Sequence, residues 1–185
     1  MEKIIVIGAS LGGFDIFRKI LGGLPADYPW PVVAVQHRTK SGRNELTELL
    51  HHETRISVKE AEDKEKPLPG TAYFAPANYH LLIGKDRHMA LDISEKLNYS
   101  RPSIDALFES AAEALGQDLV AILLSGANHD GSAGLKMVQD LSGTIIVQDP
   151  AEADAPEMPL AGIAAADPDR IYTVSQILDY LLLIK

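Results

Sequence analysis

Three residue types that together perform acyl transfer stand at well-separated points of this 185-residue sequence: Ser10, His37 and Asp130. A serine hydroxyl is a weak nucleophile until a neighbouring imidazole takes its proton. The imidazole in turn needs a carboxylate to fix its tautomer and stabilise its charged form. Ser10 lies in Gly8-Ala9-Ser10-Leu11-Gly12-Gly13, which fits the G-x-S-x-G elbow, where a sharp strand-to-helix turn exposes the hydroxyl. Helix N–H groups behind such a turn are free to meet an oxyanion. A phosphate-binding turn begins the same way, and Arg38 stands near the place of a 2′-phosphate partner. The dinucleotide fingerprint G-x-G-x-x-G fails, however, because Ser10 replaces the second glycine, whose bare backbone lets a pyrophosphate approach. The pattern favours the elbow and keeps nucleotide binding as its alternative.

The other two residues are less telling by themselves. His37 ends an apolar run and precedes Arg38-Thr39-Lys40, so a surface or capping role fits it as well as a base does. Asp130 precedes Gly131-Ser132-Ala133-Gly134, where an ordinary helix N-cap would do. His129 is a rival base, although neighbouring residues in a turn usually point apart. His51-His52-Glu53 does not fit H-E-x-x-H, and adjacent histidines on a helix face about 100° apart, so no metal site is expected. His80 and His88 fall in a segment read as antiparallel and are expected to be structural or exposed.

These side chains need elements to carry them. Lys3–Gly8 reads as a strand, and Phe14–Leu21 after it has helical periodicity. Pro31–Gln36 and Leu119–Leu124 are continuous apolar runs of the kind buried on both faces of a parallel sheet. A helix is expected from about Arg43 to His52, and the charged Glu60–Pro69 reads as a solvated loop. Thr71–Phe74, His80–Ile83 and His88–Ile93 are short strands, expected as an antiparallel addition to the sheet. Ser103 caps a helix over Ile104–Leu115, with Asp105 in its first turn and Gly116 past its end. Helices at Ser132–Leu141 and Ser175–Ile184 flank a strand at Thr144–Val147. The alternation predicts a doubly wound α/β fold: a mainly parallel sheet, helices on both faces and an antiparallel edge hairpin. In such sheets sites lie beyond the carboxyl ends of the strands, where Ser10, His37 and Asp130 all fall.

Composition narrows the function classes. Seventeen Lys and Arg against 26 Asp and Glu give a net charge of −9, which argues against a nucleic-acid or anionic-membrane binder. The 46% apolar fraction and mean hydropathy of −0.01 are those of a soluble globular domain large enough to bury a core. There is no cysteine, which excludes disulfides, a thiolate zinc site and a cysteine nucleophile. No apolar run reaches the ~20 residues of a membrane span, and Met1-Glu2-Lys3 has no signal-peptide layout, so the default location is cytoplasmic. Residues 1–185 read as a single catalytic domain.

In combination the motifs resemble the CheB-type protein-glutamate methylesterases of bacterial chemotaxis. Ile7–Gly13 is similar to the family's nucleophile turn, most often GASTGG, and Val35-Gln36-His37 to the block holding its histidine. Phe74-Ala75-Pro76 through His80, Arg101–Asp105 and Leu124–Gly134 follow in family order, the last resembling LTGMGxDGAxG with its aspartate. The resemblance implies Ser10 as nucleophile, His37 as base, Asp130 as orienting acid, and the backbone N–H groups of Leu11 and Ala127 as the oxyanion hole. It implies methylated glutamates of a chemoreceptor's cytoplasmic helices as substrate, with glutamine deamidation by the same acyl route, and neither cofactor nor metal. Leu11 replaces the common threonine, Ala127 the common methionine, and Asn128-His129 the usual small pair. Family members usually carry an N-terminal receiver domain, and none is expected within these residues. Regulation by a separate receiver partner, constitutive activity and an excised domain stay open. So does a catalytically silent docking module on the same scaffold.

Overall fold

The computed structural model describes residues 3–37, 45–168 and 170–184. Arg38 and the start of the helix expected from Arg43 lie outside them. Seven strands form one sheet: β1 (Ile4–Ala9), β2 (Val32–Gln36), β3 (Ser57–Glu60), β4 (Thr71–Phe74), and β7 (Leu119–Leu123), β8 (Thr144–Gln148) and β9 (Ile171–Tyr172). Their order is β3-β4-β2-β1-β7-β8-β9 and every pairing is parallel. The remaining two, β5 (His80–Ile83) and β6 (Met89–Asp92), make a separate antiparallel hairpin.

The strand sequences explain the layering. Every residue of β1, β2 and β7 is buried, as parallel strands covered on both faces must be. Alternate side chains of β1 serve opposite cores. Ile5, Ile7 and Ala9 join Phe17, Ile20 and Leu21 of α1 (Gly13–Gly23) and Ile177 and Leu181 of α6 (Val174–Leu183). Ile4 and Val6 face α3 (Ile104–Leu115) and α4 (Ser132–Asp140), through Leu107, Phe108 and Leu135. Helices α2 (Glu45–Glu53) and α5 (Glu157–Ala166) complete the two outer layers.

Two details differ from the sequence-based expectation. Thr71–Phe74 is a parallel member of the main sheet between β3 and β2, because Val58 and Ala72 both bury on the α1 side. The hairpin does not extend that sheet; Leu81, Ile83 and Met89 instead roof the core beside α3. Among the described residues no helix is long and apolar enough to cross a membrane.

From β1 the chain goes to β2, passes to the edge strand β3 and returns with β4 between β3 and β2, then crosses to β7 on the other side of β1. The gap beyond the ends of β1 and β7 is therefore the topological switch point, where open α/β sheets form crevices.

Candidate active site

Ser10 leaves β1 on a turn pinned from three sides. Its N–H donates to the Ser125 carbonyl (2.9 Å), and its carbonyl accepts from Gly13 N–H (3.0 Å) and from Gln36 Nε2 (2.7 Å). Gly12 follows at φ 80°, a left-handed conformation in which a side chain would also strike Asp154 and Ser125. Ser125 closes the rear of the turn. Its Oγ donates to the Leu11 carbonyl (2.8 Å) and accepts from Ala155 N–H (2.9 Å).

His37 follows β2 and is tied to β1 by its N–H to the Ala9 carbonyl (3.0 Å). Its Nε2 meets Asp130 Oδ2 at 2.8 Å. Asp130 does not cap its own helix: Gly131 holds the N-cap of α4 without a side-chain bond. Its carboxylate reaches across to the start of α3, where it accepts from Ser103 Oγ (2.8 Å), Ile104 N–H (2.7 Å) and Asp105 N–H (3.0 Å). The helix dipole favours an anion there. Burial by itself would raise this carboxyl's pKa, but the bonds from His37, Asp105 and Ile104 outweigh it and hold the group below the usual carboxylate range.

The neighbouring Asp105 is the opposite case. Burial above all, with the Asp130 charge beside it, outweighs the Gly134 N–H bond and pushes its carboxyl up to about 6. Its oxygens accept from Gly134 N–H (2.8 Å) and Asn98 Nδ2 (3.0 Å).

The ring's other nitrogen, Nδ1, faces Asn128 Nδ2 at 3.4 Å. The Asn128 amide is oriented by its Oδ1, which accepts from Asp130 N–H (3.0 Å), so its NH₂ must point at the ring. An acceptor at Nδ1 and a proton on Nε2 aimed at Asp130 are one tautomer. Ser10, His37 and Asn128 line a common open cavity of about 870 Å³ with Leu11, Tyr99 and Pro102.

The two backbone groups expected as an oxyanion hole share a device. A trans peptide points its N–H opposite to its C=O. The Ser10 carbonyl is pulled in by Gln36 and Gly13, and the Gly126 carbonyl by Met158 N–H (2.8 Å). The N–H groups of Leu11 and Ala127 are thereby turned the other way, and neither makes a hydrogen bond among the described residues.

The rival histidines take no part. His129 is exposed and outside the cavity lining. His51 Nδ1 accepts from Val58 N–H. His80 is buried, with Nδ1 accepting from Ser103 N–H (3.2 Å) and Nε2 on the Glu95 carbonyl (3.0 Å), a structural role that buttresses Ser103. Among the described residues no group of three or more His, Cys, Asp or Glu could hold a metal ion. Sequence reading missed Ser103 as a partner of Asp130, Asn128 as a partner of His37, and Gln36 and Ser125 as braces of the turn. Only Ser103 had a signal, as the cap of α3.

Residues 5–181 match the family described as CheB methylesterase. A Leptospira interrogans protein, provisionally named a protein-glutamate methylesterase/protein-glutamine glutaminase, is 41% identical over 97% of this chain and 93% of its own. A Maricaulis maris protein-glutamate methylesterase/protein-glutamine glutaminase is 36% identical over 94% of this chain but only 44% of its own length. The crystal structure of the Thermotoga maritima CheB methylesterase catalytic domain superposes with a TM-score of 0.95 over 100% of both chains, at 32% identity. The chain belongs to the CheB family of protein-glutamate methylesterases.

Proposed function

We propose that this protein hydrolyses glutamate γ-methyl esters on the cytoplasmic helices of chemoreceptors through a Ser10–His37–Asp130 relay. The observation that carries the reading is the 2.8 Å bond from His37 Nε2 to the buried Asp130, with His37 lining the same cavity as Ser10. With Nε2 committed to Asp130, Nδ1 is the basic nitrogen. It takes the Ser10 proton as Oγ attacks the ester carbonyl, and the resulting imidazolium is stabilised by the Asp130 charge. The N–H groups of Leu11 and Ala127 meet the tetrahedral oxyanion. Collapse of that intermediate breaks the ester C–O bond, and His37 returns the proton to the departing methoxide, giving methanol and an acyl-Ser10. Water, deprotonated by Nδ1, then releases glutamate and regenerates the serine. A γ-amide enters the same route with ammonia as leaving group, in keeping with the glutaminase half of the relatives' names.

No step calls for a cofactor. The receptor helices and a separate receiver protein are the expected partners, both cytoplasmic. The test is methanol release from methylated chemoreceptor cytoplasmic fragments by wild type and by Ser10→Ala. Release should vanish in the variant while the fold, followed by circular dichroism, is kept. Turnover that survives in Ser10→Ala sinks the assignment of the nucleophile.

A further inference from the structure

We propose that Asn128 is a further catalytic residue: its side-chain Nδ2 supplies an oxyanion donor once His37 has taken the serine's proton. The inference rests on the relay above and goes beyond the backbone pair Leu11 and Ala127. It begins with three contacts. Asn128 lines the cavity with Ser10 and His37. Its Oδ1 is held by Asp130 N–H at 3.0 Å, so the amide cannot present its oxygen to the cavity without losing that bond. Its Nδ2 lies 3.4 Å from His37 Nδ1, a long contact for a hydrogen bond to nitrogen.

The chemistry then changes the partner. In the resting enzyme Nδ1 is an acceptor, and the Asn128 N–H can lean on it. When Nδ1 receives the Ser10 proton it becomes a donor, and two donors face each other across that gap. At the same moment a negative oxygen appears on the attacked carbon, in the cavity that Asn128 lines. With Oδ1 still held by Asp130 N–H, the amide stays in place and the oxyanion replaces Nδ1 as the acceptor for its NH₂. The interaction strengthens only in the transition state, which is the condition for accelerating the reaction. The position is set by the Ser125–Asp130 loop, which Gly126 pins close against Ser10 through its N–H, donated to the Ala155 carbonyl (3.0 Å), and its carbonyl, which accepts from Met158 N–H (2.8 Å). A side chain added at Gly126 would stand 2.9 Å from Ser10 Cβ.

The test compares wild type, Asn128→Ala, Asn128→Asp and Ser10→Ala in methanol release from methylated receptor fragments between pH 5 and 9. Asn128→Asp keeps an oxygen for Asp130 N–H, and so holds the loop, but removes the donor. For both Asn128 variants we expect kcat to fall by about 10²-fold on the alkaline plateau, with KM changed less than about threefold. The acid limb moves to higher pH, slightly in Asn128→Ala and further in Asn128→Asp, whose carboxylate favours the imidazolium. A role confined to steadying His37 would instead move the acid limb and leave the plateau at the wild-type rate, and that result overturns the proposal. Wild-type or raised plateau rates in Asn128→Asp overturn it too, because Asn128 would then only compete with Ser10 for the imidazole. Activity persisting in Ser10→Ala would condemn the relay itself, a failure separate from this one.

Discussion

Behind the His37 ring, Asp130 is 1% exposed and accepts four hydrogen bonds, whereas in front of it Leu11 is 62% exposed and Tyr99 96%. The rear is made from element ends, namely β2, the start of α3 and the loop entering α4. Each donor there is a backbone N–H or a side chain fixed by another bond. The front is made from loops, and its groups hold few partners. Preorganised charge needs the first arrangement, because a carboxylate that must stabilise an imidazolium should spend nothing on reorganising. Admission of a protein side chain needs the second. The contrast predicts that damage at the rear appears in the chemical step and in stability, while damage at the front appears in substrate affinity.

Among changes behind the ring, the largest effect should come from Asp130→Asn. The amide can accept from some of the four donors, but its NH₂ must then face another, and the tautomer that leaves Nδ1 basic loses its support. We expect methanol release to fall by about 10³–10⁴-fold. Urea unfolding should show a loss of about 1–3 kcal/mol from the mispaired buried donor. A variant that keeps more than a tenth of the wild-type rate would break the distinction between rear and front.

Two carboxylates at the rear sharpen the comparison through pH. Asp130, held below its ordinary value, contributes stability that is lost as pH falls through its folded pKa. Asp105 works in the other direction. Its pKa rises from 3.8 to about 6, so between those values the folded protein keeps a proton that the unfolded chain has released. Stability from this group therefore falls as pH rises from about 4 to about 6 and is flat above. Asp105→Asn removes the titration. The stability of wild type relative to that variant, from urea unfolding, should drop by on the order of 2 kcal/mol across the window. A difference independent of pH would show that Asp105 is not strained by burial beside Asp130.

The unequal legibility of the sequence follows the same division. The turn that holds Ser10 was readable because it is local: strand, glycine and helix lie within ten residues. The all-buried runs of β1, β2 and β7 were equally plain, since a parallel strand shows its burial in every residue. The bond between His37 and Asp130 spans 93 residues, and each has an ordinary local role, so only the family blocks joined them before the fold did. Ser103 announced itself as a cap of α3, and it is one, with its Oγ accepting from Ala106 N–H. Nothing local says that the same hydroxyl donates to Asp130. The misread member was Thr71–Phe74, whose four residues look alike in a parallel or an antiparallel pairing; its direction is set by β2 and β3 on either side.

The smallest expected effect lies at the front, on the segment 93–100. Arg101 Nη1 holds this segment by the carbonyls of Ile93 and Ser94 (both 2.7 Å), and Asn98 Nδ2 ties its tip to Asp105. Tyr99 stands on that tip at φ 65°, a conformation that costs a tyrosine about 1 kcal/mol, with its ring almost wholly in solvent. A side chain so placed packs against nothing that would repay the strain, which points its use outward, toward substrate. In Tyr99→Gly the relief of strain and the greater freedom of the unfolded chain should nearly cancel. Unfolding free energy should therefore stay within about 0.5 kcal/mol of wild type. KM for a methylated receptor fragment should rise about three- to tenfold with kcat little changed, and hydrolysis of a small soluble ester should be untouched. A fall in kcat on both substrates would mean that Tyr99 reaches back to the ring, and the front would then belong to the catalytic apparatus after all.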